Sequence, residues 1–521
     1  MDRDSNTPLT LENTEYTGPQ TDAIDQIPDM DHHDAQREEA TGGIGHQMSA
    51  SDPDNPQNWP LHRKLHASFV AFSFAFAVAF GLTSYSIAVG DVMADFNVSM
   101  TAAIVPFSLY LVGISFAPIY TPHMTERFGR SPVYFVSLPI CALFLLGVSR
   151  AQSFGALAVL RFFAGLGGGP CLVLIEGTFA DVWSATTTVT YYSGLTLASY
   201  LGAAFGSIIL GSIVPSTSWR WTAYVSLMIC LAAFLIGIGF PETYGREIIR
   251  TRARRAGRPH NLPPAESGTT ISRMAQLTIV DPVIMLFTEP IVIMTTLYVS
   301  FVFGTTFQWF IAVPAALNLT YGFGIQSSGL AFISAVVGAL LAAATATLIE
   351  KFLILLRLRQ CQGQDMVQMD IEYRLVPAMV GGVLMTGAFF WVGWTAVPTT
   401  HYIVPIIGTG VYVWGSMMIL ISYISYLFDA YPPAGTLSAL TIAASMRLLV
   451  AAAIPLVIIQ MITNLGGDWA YGVFGIISGC LLSINCIVYK FGAKLRMKSK
   501  YSAQSIMMMT LRTHQELKAM P

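Results

Sequence analysis

Thr121-Pro-His-Met-Thr-Glu-Arg-Phe-Gly-Arg130, followed by Ser131-Pro132, stands between two long apolar runs. It packs two arginines and one acid into a tight turn, and Gly129 suits a reversal that a side chain would obstruct. Lys and Arg beside a membrane-crossing helix mark its cytoplasmic end, so the turn reads as an inner loop joining two crossings. Arg127 and Arg130 sit at the interface, and Glu126 is placed to pair with an arginine. A later run ends on the same side with another acid, Asp181 in Gly177-Thr-Phe-Ala-Asp-Val-Trp183. An acid–base–acid cluster at the mouth of a helix bundle can hold it shut until one partner protonates or moves. The alternative is interfacial pairing that only fixes topology.

Working outward, apolar runs near the 20 or so residues that a bilayer core requires occur twelve times. They fall near 66–89, 101–120, 132–149, 154–178, 187–213, 221–240, 284–311, 326–350, 376–396, 401–424, 436–461 and 469–489. Charged residues make up 11% of the 521 residues, apolar ones 54%, and the mean hydropathy is +0.57. A soluble chain carries about 25% charge. This composition excludes a soluble enzyme, a nucleic-acid-binding protein with a basic face and a disordered scaffold. The six cysteines are scattered singly, which indicates neither a disulfide framework nor a metal site.

The net charge of −2 hides a split. Residues 1–54 hold 13 of the 30 acids against Arg3 and Arg37, a net of −11, which leaves +9 for the rest. The tail shows no apolar period and no signal-peptide core, and it reads as disordered and solvated. With the N-terminus inside, 24 of the 28 basic residues are cytoplasmic; Arg150 and Arg220 fall outside, and Arg161 and Arg447 lie within runs. Both termini are therefore expected in the cytosol. The expected organisation is an acidic tail over 1–62, a six-helix bundle over 63–240 and a basic cytoplasmic loop over 241–283. A second six-helix bundle over 284–490 and a cytoplasmic tail over 491–521 follow. The sequons at Asn97 and Asn318 lie in outer loops too close to the membrane to be good acceptors, and are expected to stay unmodified.

Several segments carry a resemblance. Glu126-Arg127-x-Gly129-Arg130 is similar to the loop motif Gly-x-Leu-Ala-Asp-Arg-x-Gly-Arg-Lys of the major facilitator superfamily. Asp52-Pro-Asp-Asn-Pro-Gln-Asn-Trp59, Pro241-Glu-Thr-Tyr244, Glu289-Pro290, Glu372-Tyr-Arg-Leu375 and Tyr426-Leu-Phe-Asp-Ala-Tyr431 resemble signatures of its fungal drug:proton antiporter group. The resemblance spans about residues 52–500. It implies an all-α membrane protein with twelve transmembrane helices in two pseudosymmetric six-helix bundles, and alternating access to a site between the halves. It further implies that Glu126, Arg130 and Asp181, with Arg127 and Gly129 in the same motif, form a charge relay gating the inner mouth. Arg161, in Leu160-Arg-Phe-Phe-Ala-Gly165, would take part in proton transfer. The group's helix 5 motif, Gly-x-x-x-Gly-Pro-x-x-Gly-Gly, reads here Gly202-Ala-Ala-Phe-Gly206-Ser-Ile-Ile-Leu-Gly211. The three glycines allow close helix approach, but Ser207 replaces the proline and Leu210 replaces a glycine.

Ionisable residues inside a membrane are functional candidates by default. Arg161, Arg447 and Glu176 are the candidates for proton coupling or cargo contact. Glu176 would be the proton carrier, or else an interfacial acid paired with Arg127 or Arg130. The two arginines would attract an oxygen on the cargo, or else bond to a neighbouring helix. Tyr191, Tyr298, Gln308 and Trp394 are pocket candidates, since aromatic rings with a few polar groups suit a drug-sized molecule. No Walker A loop and no HExxH, CxxC or GxSxG context occurs, so no ATP-driven, hydrolytic or redox chemistry is expected. The expected protein is no enzyme and binds no metal, cofactor or nucleic acid. It is expected to work as a monomer among membrane lipids, in the plasma membrane rather than the vacuolar one. It would export a drug, toxin or endogenous secondary metabolite in exchange for protons. The alternatives are export of a small organic acid and a transporter-like nutrient sensor.

Overall fold

Lipid offers a peptide group no hydrogen bond, so an apolar run must satisfy its backbone within itself, and long helices result. The computed structural model describes residues 48, 52–183, 188–255, 275–360, 371–431, 433–499 and 501, and these contain helices and no strand. The helices of the first half are α1 (Leu61–Thr83), α2 (Met100–Ser115, continued as Ala117–Phe128), α3 (Arg130–Ser149), α4 (Phe154–Val182), α5 (Thr188–Ile213) and α6 (Trp221–Ile236). The second half has α7 (Pro290–Tyr321), α8 (Ile333–Gln360), α9 (Val376–Thr395), α10 (Ile403–Ala430), α11 (Pro433–Leu465) and α12 (Gly467–Lys498).

Ten described helices are long and apolar enough to cross a membrane by themselves, and the two segments of α2 make an eleventh span. Those segments meet at 41°. Pro118 lies in the first turn of the second segment, where it lacks an N–H and its ring collides with the carbonyl four residues back. The remaining span, α6, has 16 residues. It rises about 24 Å, short of the about 30 Å core, and so falls below a length criterion. Proline also sets the start of α7. Glu289 is extended ahead of Pro290, which separates the helix Asp281–Thr288 from α7. The span therefore runs over 290–321 rather than 284–311, and α12 continues past residue 490.

Within the first half α4 packs on α2 and α3, and α1 packs on α5 and α6. Within the second, α10 packs on α8 and α9, α7 on α11, and α9 on α12. The halves meet where α5 faces α8 and α10, and where α11 faces α2. The three expected helix 5 glycines lie at such crossings. A Cβ on Gly202 would meet the Phe76 carbonyl of α1 at 2.5 Å, and one on Gly206 the Phe80 carbonyl at 2.8 Å. One on Gly211 would meet the Gly329 Cα of the other half at 2.9 Å. Ser207 keeps the N–H that proline would remove, and α5 runs unbroken through it. Leu210 fills a small core with Phe80 and Val214.

Overpacking a backbone contact costs about 1–3 kcal/mol. Gly206→Val should therefore lower the thermal midpoint of the purified protein. The Ser207 hydroxyl is fully buried and makes no hydrogen bond, so Ser207→Ala, next in sequence, should leave the midpoint unchanged or raise it.

Candidate functional site

The reversal after α2 depends on Gly129, whose φ of +85° disfavours any side chain. A Cβ there would also meet Glu242 Oε2 at 2.5 Å. The backbone N–H groups of Arg130 and Ser131, at the start of α3, donate to the Glu242 carboxylate at 2.9 and 3.1 Å, as do those of Thr243 and Tyr244. An acid at a helix N-terminus satisfies donors that the helix itself cannot. Pro241-Glu-Thr-Tyr244 is thus the cap of α3.

Arg130 pairs with Asp181 at the end of α4: Nη2 donates to Oδ1 at 3.0 Å, and Nε lies 2.7 Å from Oδ2 as an ion-pair contact. Its guanidinium lies where a Cβ on Gly177 would stand. Glu126 joins neither arginine of its own turn. Its carboxylate accepts from the Tyr244 hydroxyl and from Arg246 Nη1 at 2.9 Å, and its carbonyl accepts from Arg250 at 2.9 Å. Burial, with Glu126 beside it, pushes the Tyr244 phenol up, so it stays a donor. Arg127 lies over the Phe128 ring and has no ion-pair partner among the described residues. The expected single cluster is therefore two, because the chain after α6 supplies nearer partners for Glu126.

The arginine-rich helix Gly245–Arg255 that carries these partners is fastened at its other end. Arg252 grips both oxygens of Asp52 at 2.9 Å and also bonds Asp54. This grip holds the Asp52 carboxyl below the usual carboxylate range. Asn58 and Asn55 brace the same turn, through the Asp52 carbonyl and the Gln57 N–H, and Trp59 is buried beneath it.

The second half repeats the pattern. Arg374, just ahead of α9, bonds Glu350 of α8 at 3.0 Å and Asp429 at the end of α10. Arg496 of α12 bonds Glu372 at 2.5 Å. Glu372, Arg374 and Asp429 lie in motifs quoted for the resemblance, but the sequence reading gave them no role, and it did not single out Glu350 or Arg496. The signal that finds them is the repeat itself, since an arginine opens α3 and α9 and an aspartate closes α4 and α10. Both arginine–aspartate pairs lie inside one half, and neither spans the seam.

The seam is crossed elsewhere. Arg447 Nη2 of α11 bonds Glu176 Oε1 of α4 at 3.2 Å, with side chains 16% and 20% exposed. Glu176 thus pairs neither with Arg127 nor with Arg130. Val189 N–H of α5 donates to Glu350 at 3.3 Å, His123 of α2 meets Thr278 at 2.8 Å, and Tyr200 of α5 meets Ser416 of α10 at 3.3 Å.

Arg161 is 2% exposed. It donates to the Gly81 carbonyl at 2.7 Å and lies against the Tyr85 and Tyr110 rings. It ties α4 to α1 and α2, the bond to a neighbouring helix that sequence left as the alternative. Tyr298 packs inside the second half, against Gly382 and Tyr423, and Trp394 is half-exposed beside Phe390. Tyr298 is fully buried and Trp394 is about half exposed. Gln308 is fully buried with both amide atoms unbonded. Tyr191 is on α5, and its side chain lies outside the described residues. Asn97 is exposed in a left-handed conformation after the helix Val89–Phe96, and the Asn318 amide donates to the Phe323 carbonyl at 2.9 Å.

A sequence model of the Major Facilitator Superfamily matches residues 71–432. The chain is 29% identical over 464 residues to the efflux pump FUBT of Fusarium oxysporum, covering 87% of this chain and 77% of that one. It is 30% identical over 462 residues to the citrinin biosynthesis cluster MFS transporter mrr1 of Monascus ruber, covering 87% and 91%. The fold is similar to that of the proton:xylose symporter XylE, with a TM-score of 0.59 at 15% identity over 83% of this chain and 96% of that one. The chain belongs to the major facilitator superfamily and is a multi-pass transporter rather than an enzyme.

A methyl group on Gly177 would displace the far end of a flexible side chain, which the fold tolerates. Gly177→Ala should therefore reach the membrane with a near-normal thermal midpoint, yet share the transport defect of Asp181→Asn, about ten-fold or more for loss of a bidentate charged pair. Normal transport by both variants, assayed in cells at matched surface abundance, would make the fork dispensable.

Proposed function

We propose that this transporter exports a small organic compound across a fungal plasma membrane in exchange for protons, with both termini in the cytosol. The observation that carries the reading is the Arg447–Glu176 pair, an acid and a base within the spans that join opposite halves at 3.2 Å. Rocking the halves apart at that end separates them. An unpaired charge in a low dielectric is expensive, whereas a protonated carboxyl is not. Glu176 is then the proton carrier. Its protonation releases Arg447 and permits the change of state.

The arginine–aspartate clusters have a different task on this reading. Arg130–Asp181 and Arg374–Asp429 each stiffen the cytosolic end of one half, so that each half moves as a body. Two relatives named as an efflux pump and as a biosynthesis-cluster transporter support export of a metabolite. The concentration of Lys and Arg on one face supports the orientation.

A deletion strain should accumulate one of its secreted metabolites inside and deplete it outside, as read by mass spectrometry of cells and medium. Wild-type protein should restore secretion more strongly at external pH 5 than at pH 7, because a higher proton concentration outside loads Glu176. Glu176→Gln, which cannot change charge, should give a profile without that pH dependence. Lower internal metabolite in the deletion strain would indicate import.

A further inference from the structure

We propose that the Arg447–Glu176 pair is also the cargo seat, and that it selects a neutral aromatic compound through a phenol or enol hydroxyl. The inference rests on the chain being a proton-exchanging exporter and names its substrate class.

Three features of the pair point there. The contact is single, Nη2 to Oε1 at 3.2 Å, and it leaves hydrogen-bonding capacity unspent on both sides. The hydrogen bond that Glu176 makes among the described residues is through Oε1, and Arg447 Nε is buried without a partner among them. Second, both side chains keep some exposure at the seam, unlike Arg161, whose unbonded Nε is sealed under two tyrosine rings. Third, the surroundings are aromatic. The Arg447 guanidinium lies 5.3 Å from the Phe303 ring centre, and the Phe303 ring is 4.9 Å from that of Phe307. Phe307 in turn faces Phe107 of the other half at 6.4 Å.

The charges of the pair cancel, so the seat has no net attraction for an anion or a cation. It does offer one acceptor beside a set of donors. A hydroxyl satisfies both at once, since its O–H donates to Glu176 Oε2 while its oxygen accepts from Arg447. An ether or an ester can only accept. A carboxylate would have to displace Glu176 and strand its charge. Stacking on Phe303 and Phe307 favours attaching the hydroxyl to a ring.

The same geometry makes cargo and proton rivals. A proton arriving on Glu176 Oε2 from water occupies the oxygen that the cargo hydroxyl uses, so the O–H···O bond to cargo breaks as the carboxyl becomes neutral. The other groups facing Glu176 are Arg447 of α11 and Tyr192 of α5, and Tyr192 lies near Asp429 and Arg374.

The test uses the purified full chain in nanodiscs, titrated with three probes that share one ring system: 2-naphthol, 2-methoxynaphthalene and naphthalene-2-carboxylate. Saturable 2-naphthol binding about ten-fold tighter than that of the methyl ether is expected. Glu176→Leu should erase the preference for naphthol, and Arg447→Leu should weaken it. Glu176→Gln, which keeps an acceptor oxygen, should retain part of it. Equal binding of naphthol and its ether, or no saturable binding of either, overturns the proposal. So does tighter carboxylate binding, especially if Glu176→Gln strengthens it, because the seat would then be for anions. Export by the wild type alongside any of those results would leave the transport reading standing, whereas absence of export from cells would remove that reading by itself.

Discussion

Among the described residues one ion pair, Glu176 with Arg447, joins the halves of this transporter within the spans. Each charge is tolerable there only because the other is present; removing one partner of such a pair costs about 3–5 kcal/mol. That constraint orders the rest. The remaining described charges are gathered almost entirely at one face, where water and fixed partners are at hand. The helices between carry glycine and small side chains, so that backbones meet directly. Arg161 has no acid beside it among the described residues; a carbonyl and two ring faces hold it within one half. Among the described residues Arg447–Glu176 is the one ion pair between the halves, so the proposed exchange needs only one charge to be neutralised for the seam to part.

The face clusters acquire their meaning by contrast. Arg130–Asp181 and Arg374–Asp429 are stronger contacts than Arg447–Glu176, with two contacts or two acids to one guanidinium. They are also internal to each half. Strong contacts within bodies and a weaker one between them is the arrangement that rigid-body rocking needs.

Much of this was legible in the chain. The turn 121–132, the apolar runs and the distribution of Lys and Arg identified the crossings, and the resemblance carried by short motifs identified the family. What could not be read was partnership. Glu176 and Arg447 are separated by 271 positions, and periodicity tells which face a residue occupies, not what faces it. Glu126 was expected to bond its own turn because nearness in sequence is the only distance a sequence displays; the segment after α6 comes closer in space. Tyr298 and Trp394 looked like pocket residues because an aromatic on an apolar helix carries no label for core, lipid or cavity. The second-half cluster was readable in principle, by laying one half over the other, because its arginine and aspartate occupy the same helix ends.

The fastening of the helix Gly245–Arg255 bears on how the molecule is made. Its described partners, Asp52, Asp54 and Glu126, all precede it in the chain. A ribosome that has released residue 255 has already supplied every group this strap requires. The first half can therefore finish its own end before any of the second exists, which keeps its exposed guanidinia and carboxylates paired during the long interval of synthesis. The contact between Glu176 and Arg447 has no such early route. Its base arrives only with the eleventh helix, so Glu176 must wait without it until then. The ion pair between the halves is among the last contacts the assembly can form.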